Sequence, residues 1–409
     1  MELRKWPRKN DPDSIKARQA ALDGRIDAEV FEHDLTPWVA AQEALTGVSV
    51  IPTSVIGPLT ISLGEYELTE PEGGLTETGR KNDEVYVPLA HTEGSLSDSL
   101  YRGARAAAES GGFRTEVLRD RMTRASAFAC GSVEDAAALA RWIEAELPKM
   151  REWLAGKDEE WISRYAKLRE VETYVAGPLC HVMWAFTTGD ACGPNMITRN
   201  SFALNHEFVL PHLKADTGLE PARVLLEANM GGDKKPSAQY FVDGGHGKTV
   251  VAGVSVREET LRRILRTTSA DLQALEHLGL HGSHASGMQS VAFTPASAIA
   301  AIFAATGQDL GMVGTSSMAH DVLEPTDDGV HLAIRLAGLE VGTVGGGTGL
   351  PHARAYLSLL GCLGQGSAYR LAQIIAAAAL CLELSASASA STRGSENFAM
   401  AHLQQSGRA

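Results

Sequence analysis

The sequence is poor in the features that would place it in several large functional classes. Its five cysteines, Cys130, Cys180, Cys192, Cys362 and Cys381, are scattered and include no Cys-x-x-Cys pair. An odd, dispersed set argues against a disulfide framework or a zinc site and suits a reducing cytoplasm. There is no HExxH, and no other metal-ligand spacing stands out. Basic residues are in the minority, 37 Lys and Arg against 50 Asp and Glu, for a net charge of −13. That balance disfavours broad binding to nucleic acid or to an anionic membrane. The longest apolar run, Ile374 to Leu382, is about half a membrane span. The start, MELRKWPRKNDPD, lacks the apolar segment of a secretory signal. These absences predict a cytoplasmic protein with neither a nucleic-acid nor a membrane partner.

What is present describes a globular protein with room for two or three domains: 409 residues, 44% hydrophobic and 21% charged. The chain centres on Asp233-Lys234-Lys235-Pro236-Ser237, between a Met-Gly-Gly turn and a segment that reads as a strand. Gly231-Gly232 interrupts regular structure, and Pro236 keeps Lys235 extended. Such a loop can present an ammonium group to a cleft beside a carboxylate, although an isolated DKK is more often a solvated turn.

Residues 1–43 read as a charged helical arm. Val48 to Leu63 is strand-rich, and a polar loop separates it from a strand at Val85 to Ala90. His91-Thr92-Glu93-Gly94 then leads into a helix, Ser95 to Ser110. Residues 125–228 predict β-α-β-β-α-β, the split βαβ pattern, with a long amphipathic helix at Val133 to Ala155. The expected organisation is α+β, with a large domain from 44–124 and 229–409 and a small domain inserted at 125–228. Towards the C-terminus come a glycine loop at Gly342 to Thr348, two helices, and a low-complexity SASASAS run at 385–391. Nucleotide fingerprints fail singly. Gly247-Lys248-Thr249 has Val242 where a P-loop needs glycine, and the glycine loop lacks GxGxxG spacing.

Taken together, VPLAHTEGSLSDSLYRGARAAAESGG with MTRASAF, TTGDACGPNMITRN, DKKPSAQYF with GHGKTVVAGVSV, AIFAATGQDLGMVGTSS and LEVGTVGGGTGLPHARAYLSLLG resemble the 3-hydroxy-3-methylglutaryl-CoA reductases, in order and approximate spacing. Glu43 to Gly47 stands where that family has ENVIG, and AHLQQSGR resembles its histidine tail. The resemblance spans about residue 40 to 405. It implies reduction of an acyl-CoA thioester, by default 3-hydroxy-3-methylglutaryl-CoA to mevalonate and free CoA, by two hydrides from NADPH, with NADH the alternative. It also implies an assembly that is at least a homodimer with shared active sites.

By resemblance, Lys234 is the cation on the carbonyl oxygen and Glu93 the proton donor. Asp309 bridges the two, and His402 protonates the departing thiolate. Those roles suit oxyanion stabilisation and general acid catalysis. Asp190, Asn195 and Met196 match the nicotinamide-nucleotide loop. Gly345, Gly346 and Gly347 would admit a close backbone approach, and Arg199 is a candidate 2′-phosphate contact. Arg124 and Lys235 match substrate contacts.

Two departures fall in the same region. Glu227 stands where the family commonly has a serine that helps hold the substrate carboxylate, and its charge would repel that group. Ser297 stands where the last asparagine of NAHASN is expected. The rival expectations are therefore a reductase of a different acyl thioester in a specialised pathway, and a non-catalytic nucleotide- or CoA-binding relative.

Overall fold

The structure, a computed structural model, describes residues 6–23, 31–71, 73–392 and 395–400. Strands β1 (Thr53–Thr69) and β2 (Gly74–Ala90) form one long antiparallel hairpin, paired from Thr53 opposite Ala90 to Thr69 opposite Gly74 with register shifts between Ile56 and Leu59 and between Glu65 and Tyr66. Much of its outer half was expected to be a loop. There both faces meet solvent, so residues such as Glu65, Glu67, Lys81 and Asp83 carry no apolar alternation to read.

Helix α2 (Leu96–Ala108) follows, then β3 (Phe113–Ala129), which the whole topology turns on. Its first half pairs with β7 (Gly247–Arg257), from Arg114 opposite Gly253 to Arg121 opposite Gly247. Its second half pairs with β5 (Leu179–Thr187), from Met122 opposite Phe186 to Ala129 opposite Leu179. One strand thus belongs to two sheets.

The larger sheet runs β2-β1-β3-β7-β9-β8, with β8 Ala319–Thr326 and β9 Gly329–Leu339. The second sheet adds β4 (Lys167–Ala176) beyond β5, and β6 (Arg223–Leu225) on the other side of β3. The resulting order β4-β5-β3-β6, antiparallel throughout, is that of a split βαβ unit. Its helices are α3 (Val133–Ala155), capped by the Ser132 side chain, and α4 (Pro194–Ala203), which continues through a wide turn into α5 (Leu210–Thr217). These elements close over a core of their own that includes Phe128, Leu139, Ile143, Trp184, Phe186 and Phe208.

The other core lies under the larger sheet, around α9 (Pro295–Thr306) and α12 (Ser367–Ser391). By length and composition α12 could cross a membrane, but 94% of its most apolar window is buried inside the protein, which makes it the central core helix. The SASASAS run, expected to be low-complexity chain, forms its last turns. Small residues are needed there because Arg102 of α2 packs against it and donates to the Ser385 carbonyl at 2.6 Å. At Gly103 a Cβ would sit 2.1 Å from the Cys381 carbonyl oxygen, so α2 and α12 approach backbone to backbone.

The segment after DKKP, expected to be a strand, is the short helix α6 (Ala238–Asp243). The Ser237 side chain caps it by accepting from Tyr240 N at 3.1 Å. The N-terminal arm is tied down by Arg18 of α1 (Pro12–Leu22), whose buried guanidinium donates to the carbonyl oxygens of Pro7, Lys9 and Leu45.

Candidate active site

The DKKP loop is held by the two halves of the fold it connects. A Cβ on Gly231 would sit 2.9 Å from Ala125 N, so the loop lies directly against β3. Gly232 adopts φ +78 and Lys234 φ +56, a left-handed conformation that costs a lysine roughly 1 kcal/mol. The strain turns the Lys234 side chain to Asp309, with Nζ 2.8 Å from Oδ2.

Asp309 follows α9 by the turn Gly307-Gln308, and its other oxygen accepts from Gly311 N at 2.9 Å. The hydrogen bond to Asp309 raises the Lys234 pKa above its ordinary value, against an opposing effect of partial burial; the charges of Asp309, Asp233 and Glu340 add to the rise. The site therefore presents a permanent ammonium group with an anionic partner, both nearly half exposed to solvent.

Behind this pair lies a buried polar cluster that motif reading missed. Asp233, His246 and Glu340 bring one ligand-type atom each within 4.8 Å of one another. His246 Nε2 is 3.5 Å from Glu340 Oε2. The donor set could suit a divalent cation, but Thr123 N donates to His246 Nδ1 at 3.2 Å, so the ring proton sits on Nε2 and faces the carboxylates. With its Nε2 protonated, His246 offers the carboxylates a proton and no lone pair, so the cluster does not read as a ligand set. The sequence signal was the acidic residue opening the glycine-loop motif LEVGTVGGGT.

Burial pushes the Glu340 carboxyl up to about 8. Hydrogen bonds from Thr315 and Tyr240 oppose this, and the charges of Asp233 and Asp309 reinforce it. A carboxyl raised in this way favours the folded state fully below its ordinary value and loses that contribution as pH rises through about 8. His246, held near 4 chiefly by burial, has the opposite sign: its contribution is present above 6.5 and lost as pH falls through about 4. Thermal unfolding should thus show stability falling as pH rises from about 4.5 to about 8, by on the order of a few kcal/mol. Glu340→Gln should flatten that limb; an unchanged slope in the variant would assign the loss to other groups.

Arg124 lies on β3 with its guanidinium almost buried, between Glu227 and Asp233; Nη1 contacts Glu227 Oε2, and Nη2 is 3.0 Å from Asp233 Oδ2. Lys235 Nζ is 4.0 Å from Glu227 Oε1, an oxygen that also accepts from Asn229 N at 2.8 Å. Glu227, expected to repel a substrate carboxylate, is therefore neutralised within the protein.

The loop carrying Asp190, Asn195 and Met196 meets the glycine loop edge to edge. Thr343 N donates to the Asp190 carbonyl at 2.7 Å, and Ala191 bridges Val344. The Asp190 carboxylate accepts from Gly366 N at 3.0 Å and Ala368 N at 2.9 Å, capping the start of α12. It is a structural tie between the two sheets' elements. Met196 is partly buried against the smaller core, while Asn195 and Arg199 are exposed on the first turns of α4.

Gly345 and Gly346 have φ of +82 and +55 with open space where a Cβ would be, whereas Gly347 is packed against Gly307. The nucleotide-type loop, the glycine loop and the Asp309 turn form one continuous wall.

Other expected residues stand apart. Glu93 is exposed in the loop after β2, and among the described residues it makes no hydrogen bond or ion pair with Lys234 or Asp309. Ser297 lies in the first turn of α9, whose helix puts roughly 14 Å between Ser297 and Thr306, at the end remote from Asp309. His402 lies outside the described residues.

The hydroxymethylglutaryl-coenzyme A reductase family model matches residues 17–406. A 3-hydroxy-3-methylglutaryl-coenzyme A reductase of Aeropyrum pernix is 37% identical over 344 residues, covering 83% of this chain and 76% of that protein. One from Pyrococcus abyssi is 35% identical over 351 residues, covering 84% of this chain and 79% of that protein. Among solved structures, the class II 3-hydroxy-3-methylglutaryl-CoA reductase from Streptococcus pneumoniae bound to NADPH aligns with a TM-score of 0.64 over 91% of this chain and 96% of that one. At 18% identity, that last likeness bears on the fold alone.

Proposed function

Because the chain belongs to the hydroxymethylglutaryl-coenzyme A reductase family, we propose that it reduces 3-hydroxy-3-methylglutaryl-CoA to mevalonate and free CoA with NADPH. The observation that carries this reading is the Lys234–Asp309 pair, 2.8 Å apart beside the glycine loop. The thioester carbon accepts one hydride, and its oxygen becomes an alkoxide that the Lys234 ammonium stabilises. Collapse of the hemithioacetal breaks the carbon–sulfur bond and releases a thiolate, to which His402 would supply a proton. The resulting aldehyde accepts the second hydride, and Glu93 would protonate the alcohol oxygen. NADPH supplies both hydrides. Two NADPH and two protons balance one thioester going to one alcohol and one thiol.

Asn195, Met196 and the exposed Arg199 would hold the nucleotide at the N-terminus of α4, with Asp190 fixing the loop and Gly345, Gly346 and Gly347 leaving room for it. Residues 125–228 would serve as the nucleotide-binding domain, inserted between 44–124 and 229–409 and preceded by the 1–43 arm. Glu93 makes no contact with the Lys234 of its own chain, which supports a shared site in an assembly that is at least a homodimer. The exposed Val50, Ile51, Val55 and Tyr86 near the β1–β2 hairpin give such an assembly apolar surface to bury. The free cysteines are consistent with a cytoplasmic location.

Nicotinamide oxidation should be followed by absorbance with 3-hydroxy-3-methylglutaryl-CoA, using NADPH and NADH in turn, while free thiol is titrated. The expected result is two NADPH oxidised per thiol released. One per thiol would mean that reaction stops at the aldehyde, and nucleotide binding without turnover would sink the reading.

A further inference from the structure

The acyl group of the proposed substrate is a diacid with a five-carbon backbone, so its free carboxylate lies about 5 Å from the thioester carbon. Two cations, Arg124 and Lys235, flank the loop that carries Lys234, and with the thioester carbonyl on Lys234 they are the groups to which that carboxylate is assigned. Both are already engaged. Glu227 places one oxygen on Arg124 and the other 4.0 Å from Lys235 Nζ, while Asn229 N fixes it from a third side. Asp233 holds the inner side of the guanidinium at 3.0 Å, and Glu227 covers the outer, solvent-facing side. Two cations and two carboxylates leave the group with no net charge to draw an anion.

From this arrangement we propose that Glu227 is a specificity-determining residue: an internal carboxylate that competes with an acidic acyl group for Arg124 and Lys235. The inference deepens the proposed function and rests on its placement of the acyl group at the Lys234 loop. An acidic thioester must displace Glu227 before it can pair with the guanidinium. An uncharged acyl group displaces nothing, so Glu227 narrows the preference for acidic over neutral thioesters. The displaced side chain is one-third exposed and can turn to solvent, whereas Asp233, on the buried side, stays with Arg124. A tethered carboxylate competes at an effective concentration in the millimolar range, so the penalty appears in binding more than in the chemical step.

The test compares Glu227→Gln with the unaltered protein, using two probes: 3-hydroxy-3-methylglutaryl-CoA, and 3-hydroxy-3-methylbutyryl-CoA, which keeps the hydroxyl and methyl groups but lacks the carboxylate. Kd is measured by calorimetry with NADP+ present, and KM and kcat wherever turnover occurs. In the variant, Kd and KM for the acidic thioester should fall about tenfold or more, with the effect on KM and not on kcat, and Kd for the neutral one should stay within about twofold. The amide still accepts from Asn229 N and fills the same volume, and Glu227→Ser provides a second uncharged variant should the first fold poorly. Equal changes for both thioesters, or weaker binding of the acidic one, would overturn the proposal. Because Kd is read without turnover, binding of the acidic thioester with no nicotinamide oxidation in either protein would count against the reduction itself and leave the Glu227 result readable.

Discussion

Lys234→Ala is expected to lower kcat for thioester reduction by about 10³-fold or more while leaving the fold intact. Its ammonium pairs with Asp309, and nearly half of its side chain is exposed, so its removal takes little from the core. Alanine at φ +56 keeps the same left-handed strain, so the variant and the parent differ in the cation and not in backbone geometry. Thermal unfolding should therefore shift by only a few degrees. Since pairing with Asp309 raises the lysine's pKa, the unaltered enzyme should not lose activity through this group until pH exceeds the ordinary lysine range. Asp309→Asn removes the largest cause of that rise and should bring the alkaline limb of the kcat profile to lower pH. Near-parental turnover in Lys234→Ala would remove the lysine from the mechanism altogether.

Much of this arrangement was legible in the sequence because the chemistry sits on short, unusual residue combinations. DKKP, GQD and the glycine loop each have a bland reading alone and point to a site only through their joint resemblance to one family, whereas the split βαβ order followed from the residue pattern, with α3 placed at Val133–Ala155 as expected. What escaped was whatever depends on contacts between remote segments. No pattern marks β3 as one strand serving two sheets, because residues 120–126, where it passes from one sheet to the other, are all buried and show no alternation. SASASAS looked structureless because serine and alanine carry little hydrophobic signal, although their small side chains leave room for Arg102 of α2, which donates to the Ser385 carbonyl. The Glu227 side chain was legible as a negative charge near the substrate, but the sequence could not show that Arg124, more than a hundred residues earlier, already neutralises it. The buried His246–Glu340 contact was hidden for the same reason.

Gly307→Ala should be the most damaging single-methyl change near the site, and comparison with Gly346→Ala separates packing from ligand access. Gly307 ends α9 at φ +68, and a Cβ there would lie 2.3 Å from the Gly347 carbonyl oxygen and 2.9 Å from Ala353 Cβ. Left-handed strain of roughly 1 kcal/mol and overpacking of roughly 1–3 kcal/mol both apply. Neither neighbour can yield cheaply, because one is backbone and a Cβ on Gly347 would itself be 2.6 Å from Gly307 O. Relief comes only by separating the glycine loop from the turn that carries Asp309. The expected result is a loss of about 2–4 kcal/mol in denaturant unfolding, with kcat/KM down at least about tenfold as the Lys234–Asp309 distance opens. Gly346 also has positive φ, +55, but nothing lies within 4 Å of its absent Cβ. Alanine there costs only the backbone strain, and its methyl enters the open space proposed for the nucleotide. Gly346→Ala should therefore unfold within about 1 kcal/mol of the parent while the KM for NADPH rises. If Gly346→Ala proved as unstable as Gly307→Ala, the loop would be a packing element throughout, and the nucleotide would have to approach from another side.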